Sequence, residues 1–241
     1  MTSDFLVPDW PAPANVHACV TTRAGGASTG PWQGLNLACH VGDDPAHVEL
    51  NRAWLRAQLP GEPLWLTQVH GTDCVTVESS MAGCTADASV SFEPWQICAV
   101  LTADCLPVLF CTQDGQCVGA AHAGWRGLLD GVLESTVRAM QAPPEQIMAW
   151  FGPAIGPQAF EVGGEVRAAF LAHDTASAEA FVAHGEKWLA DIYALARLRL
   201  QAMGLASIYG GGLCTVTDAE RFYSYRRDGA SGRMASLIWR E

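Results

Sequence analysis

Three side chains of this 241-residue chain have the chemistry of metal ligands: His70, Cys105 and His122. Each lies at or near the end of a predicted strand, beside small residues, where a side chain can reach a cleft. Two imidazoles and one thiolate give three protein ligands for zinc and leave the fourth tetrahedral position open, as in catalytic zinc sites. The same thiol and an imidazole could instead form a nucleophile–base pair. The remaining interpretation is a cysteine packed as a small apolar group beside a hydrogen-bonded histidine.

Two of these residues lie on a predicted β-hairpin within the segment 101–128. Its apolar runs flank a polar turn with an Asp-Gly pair at 114–115, which favours a two-residue hairpin connection. A hairpin centred there places Cys105 opposite Gly124. His122 is then on the same face of the sheet as Cys105 and diagonal to it, which brings thiol and imidazole together.

The elements around this hairpin predict a mixed α/β fold. Apolar spacing predicts a helix over 43–59, with Arg52 on its inward stripe, and a buried helix over 188–203. An inward arginine needs an anionic partner, either a protein carboxylate or a ligand. Strands alternate with helices only loosely, so we expect one α/β domain over 1–241 with mixed rather than strictly parallel sheets.

Composition narrows the class of function. The formal net charge is −11, from 25 acidic and 14 basic side chains, which argues against binding to nucleic acid or to an anionic membrane. The N-terminus lacks the pattern of a signal peptide, no apolar run is long enough to span a bilayer, and nine cysteines without a CxxC motif indicate reduced thiols. We therefore expect a cytoplasmic protein.

Five arginines near the C-terminus form either a small-anion site or a solvated, salt-bridged face: Arg221, Arg226, Arg227, Arg233 and Arg240.

At the three candidate ligands the sequence resembles the YfiH-type laccase-domain family. The segments that carry this resemblance are TQVHG at 67–71, TADCLPVLF at 102–110 and AAHAGWRG at 120–127. Further blocks extend it over nearly the whole chain in the same order: TTRAGGASTGPW, LNLACHVGDD, GPAIGPQAFEVGGEV and FYSYRRDGASGRMA.

The resemblance implies a single-domain, layered α/β sandwich with mixed sheets. It also implies a zinc site made by His70, Cys105 and His122, with these three as the catalytic centre. The implied activities are phosphorolysis of adenosine, inosine and methylthioadenosine, and deamination of adenosine. Purine nucleosides and phosphate are the expected small-molecule partners.

The names laccase and polyphenol oxidase, also used for this family, do not fit the histidine content. A multicopper oxidase needs about eight histidines for its trinuclear cluster, usually as His-x-His pairs. This chain has seven histidines in all and no such pair. Copper could still occupy the His–Cys–His site in place of zinc, because its intrinsic affinity is higher, and weak oxidase activity after copper loading would follow.

Phosphate bound by an acidic protein requires local cations, and arginine is the suited residue. We expect Arg23, Arg52 and Arg226 to serve as substrate-binding cations, and we rank Arg226 third of these three candidates.

Three other polar residues are candidates for the same site. Asn36 and His40 are expected contacts to ribose or base. Asp104 either orients a ligand, moves a proton or only caps a strand end.

Two other classes of function compete with the nucleoside enzyme. One is a metal-free Cys–His hydrolase or amidase, with Cys105 as nucleophile and His122 as base; the resemblance implies a related role for it in editing cell-wall precursors. The other is a non-catalytic, zinc-stabilised interaction protein. Metal analysis separates the hydrolase from the other two, and a nucleoside assay separates the enzyme from the binding module.

Overall fold

The computed structural model describes residues 5–241. Its strands are β1 (Phe5–Leu6), β2 (Val16–Thr21), β3 (Pro63–Leu64), β4 (Cys74–Thr76), β5 (Ala88–Ser91), β6 (Ile97–Thr102), β7 (Leu106–Thr112), β8 (Val118–Ala123), β9 (Ile147–Phe151), β10 (Glu161–Val162), β11 (Phe181–His184), β12 (Lys187–Ala190), β13 (Ser207–Gly210) and β14 (Met234–Arg240). Its α-helices are α1 (Pro45–Arg56), α2 (Trp125–Asp130), α3 (Val132–Ala139), α4 (Gly164–His173), α5 (Ile192–Ala202) and α6 (Tyr225–Asp228). Short 3-10 helices occupy Gly30–Trp32, Val77–Ser79, Pro144–Gln146 and Thr175–Ala180.

Two mixed sheets lie face to face at the centre of the molecule. The first has the strand order β1-β2-β14-β6-β3 and the second β13-β9-β7-β8-β5-β4, while β10, β12 and β11 form a small third sheet. The pairs β3–β6, β4–β5 and β9–β13 are parallel and the other pairs are antiparallel. Helix α1 covers the outer face of the first sheet, and α3 and α5 cover the outer face of the second. The predicted layered α/β sandwich with mixed sheets is confirmed.

Strand β7 shows how the sequence builds two cores at once. Val108 and Phe110 pack toward the helices, whereas Leu109 and Cys111 pack toward the first sheet. Successive side chains of a strand point to opposite faces, so an uninterrupted apolar run is what a strand between two buried layers requires. The fold therefore fixes β7 from both sides, and with it the residues at its N-terminal end.

The β7–β8 hairpin has the predicted register but a different turn. Leu106 pairs with Ala123, so the next position outward sets Cys105 opposite Gly124, as expected. The connection is a four-residue loop over 113–116, closed by a backbone hydrogen bond between its flanking residues, rather than a two-residue turn. The carboxylate at position 114 holds this longer loop by accepting two hydrogen bonds within it. The register is unchanged because the loop is extended by one residue on each side.

Helix α1 begins as predicted, and the helix predicted over 188–203 does not. The Asp44 carboxylate accepts a hydrogen bond from the amide of Ala46 and so caps α1. The first part of 188–203 is instead strand β12, paired with β10 and β11, and α5 starts after Asp191, whose carboxylate accepts from the amide of Ala194. Periodicity does not separate a short apolar strand from a helix turn, which explains the difference.

The chain crosses from the first sheet to the second at two places that position the candidate ligands. Residues 103–105 link β6 to β7, and residues 65–73 link β3 to β4. Cys105 lies on the first crossing, His70 on the second, and His122 on the adjacent strand β8. None of the helices within residues 5–241 is long and apolar enough to span a bilayer.

Candidate metal centre

A buried carboxylate, Asp87, positions both candidate histidines. Its Oδ1 accepts hydrogen bonds from Nδ1 of His122 at 2.8 Å and from the amide of His70 at 2.9 Å. Its Oδ2 accepts from the amides of Val69 at 3.0 Å and Gly71 at 2.7 Å. These bonds hold His70 in a left-handed conformation, φ 60°. A carboxylate behind a ligand imidazole fixes the ring orientation and leaves Nε2 of His122 to face the site.

The sequence analysis did not single out Asp87. The available signal was an acidic residue at the start of an apolar strand, because such a group requires buried donors. Its partners come from a loop sixteen to eighteen residues earlier and from a neighbouring strand. Sequence spacing alone did not reveal that arrangement.

The three donor groups converge as predicted. The ligand atoms of His70, Cys105 and His122 all lie within 4.8 Å of one another. Cys105 Sγ is 3.7 Å from His70 Nε2, and a tetrahedral ion with usual zinc–sulfur and zinc–nitrogen distances needs about 3.6 Å between such atoms. Within residues 5–241 no fourth His, Cys, Asp or Glu joins the group. The donor set therefore fits one divalent ion with an open position.

The glycine opposite Cys105 makes room for this cluster. A Cβ atom on Gly124 would lie 2.6 Å from Cδ2 of His70 and 3.1 Å from Sγ of Cys105. Real Cβ atoms essentially never approach a heavy atom to 2.6 Å, and 3.1 Å is unusually tight, so a side chain there would displace the His70 ring and press on Cys105. His70 is exposed and Cys105 partly so, while His122 is buried. A cysteine that lines an open cleft does not fit the interpretation of a packed core thiol.

The electrostatics of the cluster favour a thiolate. Burial opposes ionisation of Cys105, but His122 and His70 outweigh it and lower the pKa of the thiol to about 6. Burial likewise disfavours the imidazolium of His122, yet Cys105 and Asp87 raise its pKa to about 9. At neutral pH the metal-free site thus holds a thiolate beside an imidazolium. The thiolate is the form of cysteine that ligates metals and attacks electrophiles.

Two chambers meet at Cys105 and Tyr225. The metal chamber, about 270 Å³, is lined by His40, Gln68, His70, Leu101, Thr102, Ala103, Cys105, His122, Tyr225 and Arg233. The apolar chamber, also about 270 Å³, is lined by Ala103, Asp104, Cys105, Trp125, Arg126, Ile155, Phe160, Ile192, Tyr225 and Arg226. Ala103, Cys105 and Tyr225 line both chambers, and Tyr225 is 61% exposed, so part of its ring is open to a ligand.

Arg233 supplies the cation of the metal chamber. Its Nη1 donates to the carbonyls of Ser231 and Gly232 at 2.9 Å each, and no acceptor within residues 5–241 contacts its Nε or Nη2. Burial lowers the pKa of its guanidinium, although Cys105 and Asp104 oppose that shift. The sequence analysis placed Arg233 only within the C-terminal arginine group. Other members of that group, Arg221 and Arg227, pair with carboxylates instead.

Asp104 joins the C-terminal segment to the cleft. Its Oδ2 accepts a hydrogen bond from the amide of Arg226 at 2.6 Å, and its Oδ1 accepts from the Thr215 hydroxyl at 2.5 Å. It adopts φ 89°, a left-handed conformation. These bonds give Asp104 a structural role between distant segments, which is not one of the three roles expected from the sequence. It places α6, and therefore Tyr225, against Cys105.

Two of the predicted substrate residues line the cleft and its surroundings. Arg226 reaches the apolar chamber, where its guanidinium lies over the ring of Phe160 and donates to a backbone carbonyl at 3.3 Å. Arg52 lines a neighbouring cavity together with His40. Of the two anionic partners considered for it, a protein carboxylate or a ligand, no carboxylate within residues 5–241 forms an ion pair with it, and its hydrogen bond goes to the carbonyl of Leu37.

The two other predicted substrate residues lie elsewhere. Arg23 faces a cavity formed by the glycine-rich loop, which shares no lining residue with either chamber, and donates to the carbonyl of Ala219. Asn36 is fully buried, and its amide bonds to Ala38, Asp43 and the amide of Arg233. These bonds use both donors and the acceptor of the Asn36 side chain, so it positions the segment that carries Arg233 rather than contacting substrate.

Comparison with known proteins places the chain in a family. Residues 17–241 match the family model described as multi-copper polyphenol oxidoreductase laccase. The chain is 57% identical to the purine nucleoside phosphorylase YfiH of Escherichia coli (strain K12), over 98% of this chain and 99% of that protein. It is 54% identical to a purine nucleoside phosphorylase of Pseudomonas aeruginosa, over 98% of each chain.

Solved structures give the same result. A Neisseria meningitidis protein from the family DUF152 superposes with a TM-score of 0.96 at 52% identity, covering 99% of this chain and 100% of that one. YlmD from Geobacillus stearothermophilus superposes with a TM-score of 0.89 at 30% identity, covering 100% and 97%. The chain therefore belongs to the YfiH-type, laccase-domain family.

Proposed function

We propose that this protein is a zinc-dependent purine nucleoside phosphorylase that acts on adenosine, inosine and methylthioadenosine. The observation that carries the proposal is the convergence of His70, Cys105 and His122 beside an arginine whose guanidinium is partly free. Its relatives named purine nucleoside phosphorylases support an enzyme of that kind. The prediction of one catalytic domain over 1–241, working in the cytoplasm, is part of this proposal.

The metal would be held by Nε2 of His122, the ring of His70 and the thiolate of Cys105. Two nitrogens and one sulfur suit zinc, and copper could replace it on intrinsic affinity. When bound, such an ion supplies Lewis acidity toward an oxygen donor of the reactants.

The remaining chemistry falls to residues of the two chambers. Nε and Nη2 of Arg233 are free to donate to phosphate in the metal chamber. The apolar chamber offers Trp125, Phe160 and Tyr225 for stacking with a purine, with Arg226 at its rim as a hydrogen-bond donor. The ribose would then lie beside Cys105. A phosphate oxygen bonds to C1′ while the C1′–N9 bond breaks, the C1′ centre gains oxocarbenium character, and the base leaves with the electron pair.

Deamination of adenosine is proposed as a second activity of the same centre. Water adds at C6, ammonia leaves and inosine forms, so no reactant beyond water is required. Neither Arg23 nor Asn36 has a part in these steps, because neither lines a chamber.

The test incubates metal-defined protein with adenosine, with and without phosphate, and separates inosine, adenine and ribose 1-phosphate by chromatography. We expect adenine and ribose 1-phosphate only with phosphate, and loss of both in Cys105→Ala. Cys84→Ala, which removes a partly buried thiol outside the cleft, is the matched control and should retain activity.

Other outcomes support the competing functions. Turnover by metal-free protein of an amide substrate would support the Cys–His hydrolase that edits cell-wall precursors. Oxygen consumption with phenols only after copper loading would mark an incidental oxidase activity. An absence of nucleoside products in every arm would leave the interaction protein.

A further inference from the structure

A further cavity adjoins the metal chamber. It has a volume of about 600 Å³ and shares three lining residues with that chamber: His40, Gln68 and Leu101. We name it the Arg52 basin, and its other walls include Cys39, Arg52 and Trp65. Because these three residues line both cavities, the basin lies directly beside the metal chamber.

The guanidinium of Arg52 is fixed in place but incompletely bonded. Its Nε donates to the carbonyl of Leu37 at 2.9 Å, and its Cζ lies over the ring of Trp65, 4.4 Å from the centroid. Within residues 5–241 no acceptor contacts Nη1 or Nη2. An arginine anchored at Nε and held over an indole presents its two terminal nitrogens as a fork, the geometry that binds phosphate in a bidentate manner.

The charge around the basin also favours an anion. No carboxylate lines it, in a chain whose net charge is −11. The nearby Glu62 accepts from Nε1 of Trp65 at 2.9 Å and lies 3.6 Å from Nε of Arg56. Burial lowers the pKa of the Arg52 guanidinium, and Cys39 and Glu62 oppose that shift without forming a hydrogen bond to it. His40, on the shared wall, has its pKa lowered by burial and then by Arg233 and Arg52. The two arginines thus act on the same imidazole, which lines both cavities.

We propose that the Arg52 basin is an anion subsite that binds the 5′-phosphate of a nucleotide whose ribose lies in the metal chamber. The inference rests on the proposed function and extends its substrates from nucleosides to nucleoside 5′-monophosphates. The C1′–N9 bond breaks, an oxygen of inorganic phosphate bonds to C1′, and the base leaves with the electron pair and takes a proton. The products are the free base and ribose 1,5-bisphosphate.

The test begins with binding, which does not depend on turnover. Calorimetric titration in phosphate-free buffer compares adenosine with adenosine 5′-phosphate on the purified full chain. A bidentate arginine–phosphate contact predicts at least about tenfold tighter binding of the nucleotide. Arg52→Gln should abolish that preference, and Arg52→Lys should retain only part of it, because lysine keeps the charge and loses the fork. Arg56→Gln, one turn further along the same helix, is the matched control and should keep it.

Kinetics then separate this inference from its alternatives. With adenosine 5′-phosphate and phosphate, the wild type should release adenine, and Arg52→Gln should raise the KM for the nucleotide while leaving the KM for inorganic phosphate unchanged. Equal affinity of the wild type for nucleotide and nucleoside would overturn the subsite. A raised KM for inorganic phosphate with adenosine would assign Arg52 to the co-substrate and also overturn it. Tight nucleotide binding without phosphorolysis of any substrate would refute the proposed function and leave the anion subsite standing.

Discussion

The substitution Asp87→Asn tests how the candidate centre is positioned. Each oxygen of this carboxylate accepts two hydrogen bonds from buried or partly buried donors: His122 and the His70 amide on one, the Val69 and Gly71 amides on the other. An amide keeps one oxygen and replaces the other by an NH2 group. In either orientation of the amide, two of the four N–H groups face its NH2, which is a donor, instead of an oxygen acceptor.

The structure sets the size of the expected effect. A buried donor left without an acceptor costs about 1–3 kcal/mol, so two of them should lower the free energy of unfolding by about 2–6 kcal/mol. Loss of the carboxylate behind a ligand imidazole usually weakens metal binding by about 10–100-fold. We expect the larger value because the loop that carries His70 is released at the same time.

Two measurements on metal-free protein check these values: zinc affinity by competition with a chromophoric chelator, and stability by urea unfolding. The matched control is Asp43→Asn. The Asp43 carboxylate is also buried and accepts from Ser28, Asn36 and the amide of Asp44, outside the metal chamber. The control should lose stability and keep its zinc affinity. Wild-type zinc affinity in Asp87→Asn would refute the positioning role.

Three further predictions concern the same cleft. The Cys105 thiol has a pKa of about 6, so the thiolate should be present above that pH and lost below it. In metal-free protein, the alkylation rate of wild type minus that of Cys105→Ala should therefore rise with pH, with a midpoint near pH 6. A midpoint near the usual pKa of a thiol would contradict the assignment. Gly124→Ala should weaken zinc binding at least about tenfold through displaced ligands, whereas Gly164→Ala, where a Cβ meets nothing, should not, as chelator competition would show. Asparagine tolerates the φ of Asp104, but its neutral oxygen accepts a hydrogen bond more weakly than a carboxylate. Asp104→Asn should therefore loosen the N-terminus of α6 and raise the KM for nucleoside with little change in kcat; an unchanged KM would argue against this role.

Local patterns were sufficient to predict the part of the site that comes from one hairpin. The Asp-Gly turn fixes the centre of symmetry of β7 and β8, and the alternation of a strand then places His122 near Cys105. An asparagine or aspartate before a proline-initiated helix is likewise a local signal, and α1 starts where Asp44 predicts. Both features depend on residues close together in the chain.

The residues that sequence analysis missed depend on contacts between distant segments. Asp87 acts through a loop that folds back on it, and Arg233 reaches the cleft in a segment tied to Asn36, 197 positions earlier. Arg23 and Asn36 carry suitable functional groups but lie outside the chambers, because a residue type does not reveal which side of a loop faces the cleft. Residue chemistry was sufficient to predict the three candidate ligands, whereas the residues around them could be found only from the tertiary structure.

X-ray absorption at the zinc edge of the zinc-loaded protein tests the three-ligand centre most directly. We expect one sulfur at about 2.3 Å and nitrogen or oxygen atoms at about 2.0 Å, with the sulfur absent in Cys105→Ala. A first shell without sulfur in the wild type, or with two sulfurs, would contradict a centre built from His70, Cys105 and His122.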